Sequence, residues 1–172
     1  MQMKPAPILA LDPGLRDLGY AVVAGRRILA SGVAPLRLLP RERRLGEARR
    51  VVQDLVAGYR PCAVILEGTH RHPTGSLNGL HRLGRSLARI AKRRGVAIAC
   101  YAPQTVRKSV VGNGWATKRE VATAIASRYP ALRVYLTQDR RWKESYWQNM
   151  FDAVALAIHH QGQPPSRSRN CG

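Results

Sequence analysis

Three acids in this 172-residue chain lie where a carboxylate needs a partner. Asp12 closes the apolar run Ile8-Leu9-Ala10-Leu11 and is followed by Pro13-Gly14. Glu67 closes a second run, Cys62-Ala63-Val64-Ile65-Leu66, and Asp152 sits near the start of a helical pattern rich in Ala, Val, Leu and Ile. A charge in apolar surroundings is costly unless it is paired or ligates something. Short apolar runs closed by turn residues read as buried strands, and open α/β sheets offer their ligand sites beyond the carboxyl ends of strands. Neighbouring parallel strands ending in acids would bring both side chains to one edge. Hard oxygen donors gathered there suit Mg²⁺ or Mn²⁺. Two such ions roughly 3.5–4 Å apart are an arrangement that cleaves phosphodiesters, one activating water and the other stabilising the leaving oxygen. Asp12 is the natural bridge between them. Asn149, three residues before Asp152 on the same helix face, offers a carboxamide oxygen as a weaker ligand or a holder of metal-bound water. Taken singly, Asp12 also reads as a turn cap and Asp152 as a helix-terminal acid favoured by the dipole.

The elements that must position these acids can be read along the chain. Leu18–Val23 and Arg27–Val33 read as strands joined around Gly25, completing a three-strand meander. A helix opens at Pro40, with Leu45, Ala48, Val51, Val52 and Leu55 at helical spacing, and ends at Gly58 and Pro61. After Glu67 comes a polar loop, Gly68–Ser76, holding His70, Arg71 and His72. A long helix over about 77–94 carries Leu80, Leu83, Leu87, Ile90 and Ala91 on one stripe and Arg82, Arg85 and Arg89 on the remainder. Val96–Tyr101 is a fifth strand, and Pro103 starts a helix that Gly112-Asn113-Gly114 interrupts. Thr117 and Glu120 form a capping-box pattern for a helix to about Arg128. Residues 129–146 read as irregular, with a weak extended stretch at Arg133–Leu136, before a last helix over Trp147–His160. The order predicts one α/β domain over residues 1–160, built on a five-stranded mixed sheet flanked by helices. Residues 161–172 read as a disordered basic tail.

Charge narrows the partner. Lys and Arg number 29 against 10 Asp and Glu, a net +19, and so basic a domain meets a polyanion, releasing condensed counterions from phosphates. A generally solvated basic surface is the plainer alternative. Glu42, Glu47 and Glu120 have local reasons to exist, among arginines or in a first helical turn; Asp12, Glu67 and Asp152 have none. The three cysteines form no Cys-x-x-Cys pair. Cys62 and Cys100, beside apolar runs, read as buried thiols, and the odd, spaced set fits a reducing compartment. No run is long enough to span a membrane, and nothing at the start reads as a signal peptide, so a cytoplasmic or organellar location is expected.

At this point the chain resembles the RuvC-type Holliday junction resolvases of the ribonuclease H-like superfamily. The matching segments are Ile8–Gly14 with Gly19-Tyr20, Val64–Glu67, Arg94–Ile98, Tyr101–Pro103, Val110–Gly114 with Ala116 and Lys118, and Asp152–Ile158. They run in family order over roughly residues 8–160. The resemblance implies a ribonuclease H-like fold, a homodimer, and paired Mg²⁺-dependent nicks in opposing strands of a four-way DNA junction. Two ions per site are implied, with Mn²⁺ able to substitute. Asp12, Glu67 and Asp152 take three of the family's four acidic positions and the fourth falls on Asn149, with Gln148, Asp139 and Glu144 as nearby alternatives. Lys118 matches a basic position beside the scissile phosphate, where it would offset charge in the transition state. His70 falls where relatives carry an aromatic that stacks at the crossover. DNA contacts are expected from His70 and Arg71, from Arg82, Arg85 and Arg89, and from Lys108, Lys118 and Arg119. The long helix, whose Gly79 and Gly84 permit close approach, is expected to form part of the dimer interface. Bacterial, phage or mobile-element coding and a branch-migration helicase as partner complete what the resemblance implies.

Two other classes compete. A catalytically silent module that binds branched nucleic acid would explain the charge and the missing fourth acid, but not three acids delivered by two strands and a helix. An actin-like ATPase shares an Asp-Pro-Gly turn, yet this chain has only one and is too short for two such lobes. On the nuclease reading, Asn149→Asp is expected to keep or raise activity at low metal concentration.

Overall fold

The computed structural model describes residues 5–68, 78–136 and 141–163, with the side chains of 78–81 and 141–145 outside that description. Five strands form a single sheet: β1 (Ile8–Pro13), β2 (Leu18–Ala24), β3 (Arg27–Ala34), β4 (Ala63–Glu67) and β5 (Ala97–Tyr101). Their spatial order is β3-β2-β1-β4-β5. The meander β1-β2-β3 is antiparallel, whereas β4 lies parallel to β1 and β5 parallel to β4. The five helices are α1 (Arg41–Tyr59), α2 (Asn78–Arg93), α3 (Pro103–Val111), α4 (Lys118–Arg128) and α5 (Arg141–Gln161).

Strand alternation explains the two layers. Leu9, Leu11, Val22, Val64 and Leu66 face α1 and α2, meeting Ala48, Val52, Val56, Leu83 and Leu87. Ile8, Ala10, Ala21, Val23, Ala63, Ile65 and Ala99 face the other way, onto Val106, Val121, Ile125, Phe151, Val154 and Ile158 of α3, α4 and α5. The same period of two places Asp12 with Ile8 and Ala10, and Glu67 with Ala63 and Ile65. Both acids thus end up on the face covered by α5. Residues Ala153–Ile158 of α5 are all buried, as expected of a helix apolar on every side.

Three expectations change. The 133–136 segment is not extended: it belongs to a 3₁₀ turn, Pro130–Tyr135. Helix α5 begins at Arg141 rather than Trp147, its first turns carrying only Trp142 and Tyr146 at helical spacing, and reaches Gln161. The expected tail therefore starts inside the helix, and its residues 164–172 lie outside the described residues. Cys62 is exposed and Cys100 on β5 is half-buried, so neither is a fully buried thiol. Among the described residues, no helix is long and apolar enough to cross a membrane.

Candidate active site

The site lies at the carboxyl edge of β1 and β4. Parallel pairing runs through Leu11↔Leu66, so Asp12 and Glu67 follow on adjacent strands. Gly68 is fixed just beyond, its N–H donating to the Tyr101 carbonyl at 2.8 Å. Asp12 is only 9% exposed. Burial pushes its carboxyl well above the ordinary carboxylate range, and the charges of Glu67 and then Asp152 add to the rise. Burial also raises Glu67, against the lowering effect of its hydrogen bond from Asp12. Burial and mutual repulsion thus disfavour two negative charges at this edge, at Asp12 above all.

Asp152 comes from the opposite layer, on α5. Its Oδ1 accepts from Gln148 Nε2 at 3.0 Å, and its Oδ2 lies 3.1 Å from Lys118 Nζ. Lys118 is the first residue of α4, and the capping box fixes that start. Thr117 Oγ1 accepts from the Glu120 N–H at 3.2 Å, while the Glu120 carboxylate accepts from the Thr117 N–H at 2.7 Å. The structure thus brings Asp12 and Glu67 together and holds Asp152 beside them on Lys118 and Gln148. Among the described residues no three acids, histidines or cysteines close into a ready-made cation cage.

Asn149 does something its spacing did not suggest. Its Nδ2 donates to the Asp17 carbonyl at 3.0 Å, and the Gly14 N–H donates to that same carbonyl at 3.1 Å. The carboxamide therefore ties α5 to the β1–β2 turn, leaving Oδ1 as its remaining polar atom. The same turn is braced by an ion pair, Arg37 Nη1 to Asp17 Oδ2 at 2.6 Å, with the guanidinium 4.9 Å from the centre of the Tyr146 ring.

Arg107 on α3 is a site residue that sequence reasoning missed. It lines a small hollow with Glu67, Asp152, Val106 and Val121, and its charge lowers Glu67. No local signal separates Arg107 from Lys108, since only the rotation of α3 against the sheet decides which of them faces the acids. Lys108, chosen from the sequence, lies on a different hollow, with Trp115. Arg82, Arg85, Arg89, Lys108, Lys118 and Arg119 are all exposed. His70, Arg71, Asp139 and Gly79's surroundings lie outside the described residues, as does the side chain of Glu144.

This arrangement matches known proteins. The family model for crossover junction endodeoxyribonuclease RuvC matches residues 8–160. RuvC of Alkalilimnicola ehrlichii is 30% identical over 171 residues, covering 96% of this chain and 98% of that relative. The solved structure of Thermus thermophilus RuvC in complex with a Holliday junction substrate has a TM-score of 0.74 at 25% identity, covering 91% of this chain and 93% of that one. A yeast mitochondrial Holliday junction resolvase, at 15% identity and a TM-score of 0.61 over 91% of this chain and 78% of that one, shares the fold. From its sheet order, its paired edge acids and these matches, the chain belongs to the RuvC family of crossover junction endodeoxyribonucleases.

Proposed function

We propose that this chain resolves four-way DNA junctions by metal-dependent nicking, with Asp12, Glu67 and Asp152 as the acids that hold the divalent cations. The buried Asp12–Glu67 pair carries the reading. Two carboxylates with raised pKa, at one sheet edge within electrostatic reach of a third, are costly as a structural device. They fit hard dications, which would offset the negative charge that burial disfavours there. Mg²⁺ is the ion proposed, two per site, with Mn²⁺ able to replace it. Bound there, the ions supply an activated water and stabilise the leaving oxygen. Asn149 Oδ1 is the oxygen this chain offers where relatives carry a fourth acid.

The chain's own residues do the remaining work. Lys118 and Arg107 bring positive charge to the edge where the acids sit, and there they offset charge that builds on the phosphate. Gln148 orients the Asp152 carboxylate through its 3.0 Å bond. Arg82, Arg85 and Arg89 lie exposed on α2, the helix that follows β4 and its active edge; they are proposed phosphate contacts on the duplex arms. Lys108 and Arg119 extend that basic surface, and His70 and Arg71 are assigned to the crossover. A symmetric junction needs two cuts related by a two-fold axis, which a C2 homodimer provides. Gly84 on α2 has open space around it, which suits close approach of a second copy. Residues 1–160 act as the nuclease domain, in the cytoplasm or an organelle, with a branch-migration helicase as the accompanying partner.

The test is side-by-side incubation of four-way junction, flap and linear duplex with Mg²⁺ or Mn²⁺. Paired nicks in the junction are expected, and Asp12→Asn should abolish cutting while junction binding persists. Cutting unaffected by that change would remove Asp12 from the mechanism. Tight junction binding without nicking in either metal would favour a silent binding module.

A further inference from the structure

One exposed element is unused by that account. Trp115 is 82% exposed, an unusual place for a large apolar ring, since tryptophan is highly buried on average. Its position is nevertheless fixed. Helix α3 ends at Gly112, whose φ of +79° suits glycine, and the Gly112 N–H donates to the Lys108 carbonyl at 2.9 Å. The Trp115 N–H donates to Asn113 Oδ1 at 2.9 Å. A Cβ on Gly114 would come within 3.1 Å of the Gln104 carbonyl oxygen, so the turn lies flat against α3. The next residue, Ala116, is buried in the core at 4% exposure. The indole is thus held on a short, anchored turn rather than on a long loop.

Beside it lies an open hollow of about 570 Å³, lined by Gln104, Thr105, Lys108, Gly112, Asn113, Gly114 and Trp115. That volume falls within the roughly 300–1,000 Å³ of small-ligand sites. The lining combines an aromatic face, three neutral side chains that donate and accept hydrogen bonds, one ammonium and no carboxylate. This is the chemistry of a nucleobase with its phosphate: stacking on the ring, hydrogen bonds at the base edge, and an anion for lysine. Helix α3 presents Arg107 to the hollow of Glu67 and Asp152 and the next residue, Lys108, to this one. Lys118, which meets Asp152, is three residues after Trp115, at most about 11 Å of extended chain. A strand held at the active edge would therefore have its neighbouring nucleotides within reach of this hollow.

We propose that Trp115 and its hollow form a subsite that takes one unstacked nucleobase of the strand being cut, and that this subsite sets which nucleotide step is nicked. The inference rests on the nuclease reading for its last part only. Base capture itself stands on the ring, the hollow and the lysine.

The test uses the full chain with single-stranded DNA and with four-way junctions carrying 2-aminopurine at successive positions near the nick, in buffer without divalent metal. Wild type should change the 2-aminopurine emission at one position on the junction, and it should quench the probe on the single strand. Trp115→Ala should lose both signals and bind the single strand roughly 5- to 100-fold more weakly, whereas Trp115→Phe should retain most of the signal. Because the ring is exposed, its removal leaves the core untouched; thermal unfolding of Trp115→Ala should match wild type. Lys108→Ala should instead reduce the slope of log affinity against log salt by about one. With Mg²⁺ added, Trp115→Ala should still cut junctions, with its nicks spread over more positions. Quenching of the single-strand probe by Trp115→Ala as strong as by wild type would overturn base capture, and a cut-site pattern identical to wild type would overturn the specificity role. Either result would leave junction cutting by wild type intact, so the two readings fail separately.

Discussion

The distance between α5 and the sheet is set at Gly19, and replacing that glycine tests the geometry of the whole site. Gly19 pairs with Asp12 across β1 and β2. A Cβ added there would lie 2.0 Å from the Asn149 carbonyl oxygen and 2.3 Å from its carbon. Those are backbone atoms and cannot rotate away. Ordinary contact begins near 3.4 Å, so in Gly19→Ala the helix backbone must retreat by about 1.4 Å or the strand must buckle by as much. Overpacking of this kind costs typically 1–3 kcal/mol, which for a chain of this length lowers Tm by about 2–12 °C. The catalytic cost should be larger. Asp152 and Asn149 would move with α5 away from Asp12, and a displacement of about 1 Å at reacting groups can cost on the order of 100-fold. The expected phenotype is a folded variant that binds four-way junctions in metal-free buffer but nicks them at least about 100-fold more slowly than wild type, as measured in single-turnover reactions. Nicking at the wild-type rate would show that close approach at Gly19 does not position the acids.

Other predictions concern single groups. Asn149→Asp replaces an N–H donor with a carboxylate oxygen facing the Asp17 carbonyl, at the present 3.0 Å; losing that bond costs about 1 kcal/mol before any repulsion. Tm in chelator should therefore fall by about 2–4 °C or more, even if the added acid helps at low metal, and an unchanged Tm would return Asn149 to a ligand role alone. Acid should destabilise the fold through His159 and His160. Both are pushed below their ordinary value, chiefly by burial, with His160 adding to the effect on His159. The unfolded chain then binds protons that the folded chain does not, so stability is full above about pH 6.5 and falls as pH drops below it. His160 Nδ1 sits 2.8 Å from Tyr101 Oη and His159 Nδ1 2.9 Å from Ser109 Oγ. Histidine-to-glutamine changes at both positions should flatten Tm between pH 7 and pH 5 relative to wild type; an equal slope would refute the assignment. Sedimentation at micromolar concentration should find a dimer, and monomer alone with and without junction would refute the two-fold arrangement.

The sequence alone determined the parts of this protein that are local. Continuous apolar runs ending in Asp12 and Glu67 placed two acids at strand ends, and the Thr117–Glu120 box located the start of α4, because each signal lies within a few residues. The 3₁₀ turn at Pro130–Tyr135 carries no apolar period, and the first turns of α5 hold only Trp142 and Tyr146 at helical spacing, too short a pattern to mark the start. Contacts between distant segments were decided by tertiary structure. Lys118 meets Asp152 across 34 residues, and Asn149 reaches Asp17 across 132. Which neighbour, Arg107 or Lys108, faces Glu67 depends on the rotation of α3 against the sheet, and no local pattern records that angle. Gly19 reads as one more strand residue until α5 is laid across it. Side-chain direction across layers follows from how helices settle on the sheet, and that settling is a property of the packed whole.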